Sequence, residues 1–186
     1  MTDFFITYKS LFILLHALGA AGALGAVFVT DVLFVHFLKD RVLTSKEFDT
    51  LKTISLFVWA MIIFLLITGI GLYLSAPDAY LVKSKFITKI IIFCVIVANG
   101  TLLHLYITPS LKNMSFVNDH TVKHIAFIKR LAFASGGVSF VSWLTVFILG
   151  SVRAIPYAVT QALWLYIILI IITIVGSQLY LARASK

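Results

Sequence analysis

Five long stretches of this chain are almost wholly apolar, and short polar or charged segments separate them. Each stretch is long enough to cross a hydrocarbon core about 30 Å thick at about 1.5 Å of rise per residue. The pattern predicts helices over 9–39, 50–76, 84–109, 124–151 and 156–182. The implied architecture is all-α: a polytopic integral membrane bundle of five transmembrane helices, in one domain over 1–186. Ser45, Phe48 and Leu51 start the second helix before it enters lipid. Ser75, Pro77 and Asp78 stop it, and Thr108 with Pro109 ends the third. The basic, amphipathic stretch 115–130 begins the fourth on the membrane surface, and Pro156 suits the first turn of the fifth.

Polar residues interrupt this pattern at few places. The first run carries His16, Asp31 and His36, and its centre, Ala17 to Ala26, is nearly all glycine and alanine. At about 100° per residue, His16, Gly19, Ala20, Ala23, Thr30 and Asp31 share one broad face. Small residues there let a neighbouring backbone or a flat ligand come close. The third run has a matching stripe of Lys85, Lys89, Asn99 and Gly100, with His104 at its edge. The first and third runs point the same way, so depths compare. His16 and Lys89 fall at one level, Asp31 and His104 at another.

Each of these residues has two readings. Lys89 is either a lysine snorkelling near a helix end or a partly desolvated amine able to act as ligand or base. His16 is either a core histidine bonded to a carbonyl or an axial ligand to haem iron or another metal. Asp31 with His104 is either a structural hydrogen bond or a proton relay. His36 and His104 lie towards the same face and form a candidate second ligand pair. His120 and His124, at i and i+4, have metal-ligand spacing but no third partner, so a solvated face is the simpler reading. Ser135, Gly136, Gly137, Ser139 and Ser142 give the fourth run a small-residue packing face. Trp164 and the tyrosines of the fifth run read as interfacial anchors.

Composition narrows the class. Of 186 residues, 61% are hydrophobic and 12% charged, which fits a membrane protein rather than a soluble domain. The net charge of +8 lies in the connections between apolar runs, so it is explained by topology and lipid headgroups, not by nucleic acid. The single cysteine, Cys94, excludes an intrachain disulfide and reads as buried. The opening run mimics a signal peptide, but its apolar length continues past the small residues, so it reads as a retained span. Lys9, Lys83, Lys85, Lys89 and Arg153 lie on one side. Lys39, Arg41, Lys46, Lys52, Lys112, Lys123, Lys129, Arg130, Arg183 and Lys186 lie on the other. That asymmetry predicts an outer N-terminus and a cytoplasmic C-terminus in the cell inner membrane.

The stretch YKSLFILLHALG, closed by DVLFVHFLKD, resembles the first helix of the HemJ-type membrane protoporphyrinogen oxidases. LLITGIGLYL and KSKFITKIIIFCVIVANGTLLH look like that family's second and third helices. The copper-resistance membrane proteins of the CopD type look similar at a cruder level. The resemblance implies a b-type haem held by the first-helix histidine and the third-helix lysine, here His16 and Lys89. Two departures bear on the reaction. Asp31 and Val32 occupy the region of a family arginine, and KRLAFASGGVSFVSW lacks the family's Asn-Glu-x-Pro signature. The expectation is therefore a membrane haem protein in electron transfer or oxidation of a porphyrinogen- or quinol-like substrate. Its partners would be lipid, a quinone or other redox partner, and further copies of the chain. The alternative is a haem-free transporter or channel for protons, copper or a small solute along the Asp31 and His104 stripe. Three methionines are too few for a thioether copper path.

Overall fold

In a computed structural model, the protein is an all-α bundle whose five long helices are each apolar and long enough to span a membrane. The structure describes residues 2–37, 44–110, 122–153 and 155–184. A short helix α1 (Thr2–Thr7) leads into α2 (Lys9–Phe37). Next come α3 (Ser45–Leu74) and a one-turn helix α4 (Pro77–Leu81). Helix α5 (Ser84–Leu102) runs on into a π-helical turn, Leu103–Ile107. Helices α6 (Val122–Ser151) and α7 (Val159–Ala184) complete the chain.

The boundaries follow local chemistry. Helix α3 begins earlier than the apolar pattern alone places it, because Thr44 and Glu47 form a reciprocal capping box. The Thr44 N–H donates to Glu47 Oε2 at 2.7 Å, and the Glu47 N–H donates to Thr44 Oγ1 at 3.3 Å. Pro156 does not sit in the first turn of α7, which starts at Val159. There Ala158 N–H donates to the Gln161 side chain at 3.1 Å, the reciprocal half of such a box, so the helix starts where Gln161 can reach back. The third span does not end at Pro109 either, since helical structure runs to Ser110. A proline ring crowds the carbonyl four residues back, and the wide turn before it makes room. The predicted surface start of the fourth helix, over 115–130, lies partly outside the described residues.

Antiparallel neighbours build the bundle. Helix α2 packs chiefly on α3, and α6 lies against α2, α5 and α7. The small residues decide how closely. Gly19 lies against Phe64 and Leu65, and Gly137 against Thr173. Ala23, Ile62, Leu65, Ile92, Ile96, Val141 and Trp143 form the main core, with Trp143 only 2% exposed. Burying Trp143 and Ile92 removes apolar surface only from lipid, so shape and van der Waals contact hold this interior together rather than water exclusion. Two expectations need correction. Cys94 is exposed, on the side of α5 turned away from buried Ile92 and Ile96. A thiol is weakly polar enough for hydrocarbon to accept it there. Tyr166 is no interfacial anchor. It is 4% exposed, and its hydroxyl shares a 2.7 Å hydrogen bond with Ser142 Oγ, which satisfies both groups inside the bundle. Trp164 is exposed on the outside of the bundle.

Candidate functional site

The polar face of α2 divides between two helices. Its N-terminal half meets α3. His16 lies half-buried with Nδ1 2.9 Å from the Thr68 hydroxyl, and its Cε1 packs over Gly69. The Thr68 hydroxyl donates its own proton to the Phe64 carbonyl at 2.8 Å. Its oxygen is therefore left to accept, which assigns the proton of the His16 ring to Nδ1. Nε2 then carries the lone pair of the ring, and the Leu65 backbone also bonds the imidazole.

The stretch of small residues beside His16 is not an empty slot. Gly19, Gly22 and Ala23 are covered by Phe64, Leu65 and Met61 of α3 or by the core. Gly25 alone in that stretch has open space beside it. The C-terminal half of the polar face meets α6. An Asp31 carboxylate oxygen lies where a side chain at Gly136 would touch it at 3.2 Å. Asp31 makes no hydrogen bond or ion pair among the described residues.

The stripe on α5 is also divided. Lys85 donates to the Val152 carbonyl past the end of α6, and Lys89 Nζ lies beside Gly150 one turn further in. Asn99 and Ser135 clasp each other. The Asn99 amide donates to the Ser135 carbonyl at 2.9 Å, and the Ser135 hydroxyl donates to Asn99 Oδ1 at 2.7 Å. Gly100 and His104 turn instead towards Trp59 of α3, whose indole meets the His104 ring edge-on at 6.5 Å. The two lie four residues apart, so helical spacing alone puts them on one side of the span.

These placements sort the expected pairs. No hydrogen bond or ion pair joins His16 to Lys89 among the described residues: His16 meets Thr68 and Gly69 of α3, while Lys89 Nζ lies beside Gly150 of α6. Asp31 and His104 are not joined, since one faces α6 and the other α3. His36 and His104 do not meet either. His36 is exposed near the end of α2, beside Phe37 and within the field of Glu47. His120 lies outside the described residues, as does the side chain of His124. Among the described residues no three His, Cys, Asp or Glu side chains gather as a bare metal ion would need. A metal inside a macrocycle brings its own equatorial nitrogens and asks the protein for one or two axial donors. A histidine with one nitrogen tied back and the lone pair on the other fits that donor set. The sequence offered no direct pointer to Thr68, which lies among apolar neighbours in a helix. Its only signal is the spacing that puts a hydroxyl beside Gly69. No protein-family model, curated protein or solved structure matches this chain.

Proposed function

We propose that this chain is a membrane b-type haem protein, with His16 as one axial ligand and Lys89 as the other. The observation that carries the reading is the bond between His16 Nδ1 and Thr68, which puts the lone pair of the ring on Nε2 and holds the ring in place. Lys89 supports it as a half-buried amine on the neighbouring side with no acceptor among the described residues. Bound haem would supply one-electron chemistry inside the membrane. The residues would hold and orient it, and the surrounding helices would limit access of water. Its role would be electron transfer or the oxidation of a porphyrinogen- or quinol-like molecule delivered through lipid or by a redox partner. The N-terminus would face outwards and the C-terminus the cytoplasm, following the distribution of lysine and arginine.

The test is spectroscopic. Protein purified from haem-replete cells, or titrated with haemin in detergent, is expected to show a Soret band that shifts on reduction. His16→Ala is expected to abolish the band and Lys89→Met to alter its position. A colourless wild-type protein that takes up no haemin overturns the reading.

A second reading, transport of protons or a small solute without haem, is favoured by one observation: the Asp31 carboxylate lies within a span with no partner among the described residues. Vesicle flux that Asp31→Asn abolishes would support it, and flux indifferent to Asp31 would remove it.

A further inference from the structure

Helices α2 and α6 lie antiparallel, and their seam is not closed along its whole length. Ala21, Leu24, Gly25 and Phe28 on one side and Phe140, Leu144 and Phe147 on the other line a cavity of about 410 Å³. Phe28, Leu144 and Phe147 are exposed, so the cavity is a groove that opens sideways out of the bundle. No side chain that lines it carries a charge or a hydrogen-bonding group. From Ala21 to Phe28 it spans about 10 Å of helix.

One turn beyond the groove, on the same seam, Asp31 of α2 meets Gly136 of α6. Phe28 precedes Asp31 by three residues, and Phe140 follows Gly136 by four, so both rings stand between the groove and the carboxylate. Their centroids are 6.1 Å apart. No cation or donor among the described residues answers Asp31, and its oxygens keep accessible surface. Gly136 is what permits this, because any side chain there would press on the carboxylate.

We propose that this seam is a binding site for a lipophilic ammonium: an alkyl chain in the groove, with its cationic head at Asp31, beside Phe28 and Phe140. Charge complementarity selects the head. A carboxylate in hydrocarbon is costly without a counter-charge, which favours a cation over a neutral or anionic group. The groove selects the tail. Ordinary membrane lipid could fill the apolar part, but its acyl chain would leave Asp31 unanswered. The site lies on the α2–α6 seam, while His16 meets α3, so the inference does not rest on the haem reading. A colourless protein with intact ammonium binding would leave this site standing.

The experiment is calorimetric titration of decylammonium into the full-length protein in phosphatidylcholine nanodiscs, against protein-free discs. Saturable binding beyond the empty discs is expected. Asp31→Asn is expected to weaken it about tenfold or more. Gly25→Leu is expected to weaken it as well, because the new side chain enters open space in the groove. Both variants are checked for unchanged helicity and size, and either one that stays folded decides the matter. Decanol, with the same tail and no charge, is expected to bind more weakly and without dependence on Asp31. Uptake no greater than that of empty discs overturns the proposal. So does equal binding by wild type and a folded Asp31→Asn, or decanol binding as tightly as the amine.

Discussion

Replacing Thr68 by valine keeps the shape of the side chain and removes the hydroxyl that holds the His16 ring. Thr68 is 2% exposed, so water cannot take over the lost bond. The expected cost is about 1 kcal/mol, read as a lower unfolding midpoint in detergent. If haem is bound, its affinity should fall by about 10–100-fold, since the ring loses the bond that fixes its tautomer and direction. A Thr68→Val protein with wild-type midpoint and wild-type haem affinity would show that the bond orients nothing. His16 itself was legible in the sequence as a polar residue in an apolar run. Which of its nitrogens carries the lone pair was not, because that depends on a hydroxyl 52 positions away.

At the scale of elements, glycines of the same composition have opposite expected effects. Gly71 on α3 has the Phe12 ring of α2 where a β-carbon would go, and Phe12 is itself held against Phe5 at 5.8 Å. Gly71→Ala should therefore destabilise the protein by about 1–3 kcal/mol. Phe12→Leu in the same chain should recover part of that loss. Gly176 on α7 meets nothing within 4 Å, so Gly176→Ala should be neutral or stabilising by up to about 1 kcal/mol through helix propensity. Thermal midpoints of the three variants check this, and equal effects of the two alanines would refute the close approach at Gly71. The apolar pattern identified the five long helices and Ser45 marked the early start of α3, but the start of α7 was misplaced. The reciprocal Thr44–Glu47 box sets the first of these ends and the Ala158 N–H donating to the Gln161 side chain sets the second, and hydropathy registers neither.

For the whole molecule, the fourth span is where the separate polar features meet. Helix α6 receives Asp31 beside Gly136, Asn99 at Ser135, Tyr166 at Ser142 and Lys89 beside Gly150. Its small residues are what allow several neighbours to approach it. The proposed orientation is tested at the same scale. In a Cys94→Ala background, a cysteine at exposed Asp78 should react with a membrane-impermeant maleimide on intact cells. One at exposed Arg183 should react only after the cells are opened. The reverse pattern would invert the topology. Among the basic residues behind that orientation, Lys39, Arg41, Lys112 and Lys186 lie outside the described residues, and their count is a property of the sequence alone.

The sequence by itself determined the class of fold. Length and hydropathy are local quantities, and a bilayer leaves an unbroken apolar run little choice but a helix, since every backbone polar group must be satisfied within the segment. It also marked which polar residues would be costly in lipid. The tertiary structure decided what each of them faces. A helical wheel places His16 and Asp31 on one side of α2, yet that side is wide enough for two neighbours. Only the packing of α3 and α6 around it gives His16 a hydroxyl and leaves Asp31 beside a glycine. The same holds on the third span, where Asn99 clasps Ser135 of α6 while Gly100 and His104 lie against Trp59 of α3.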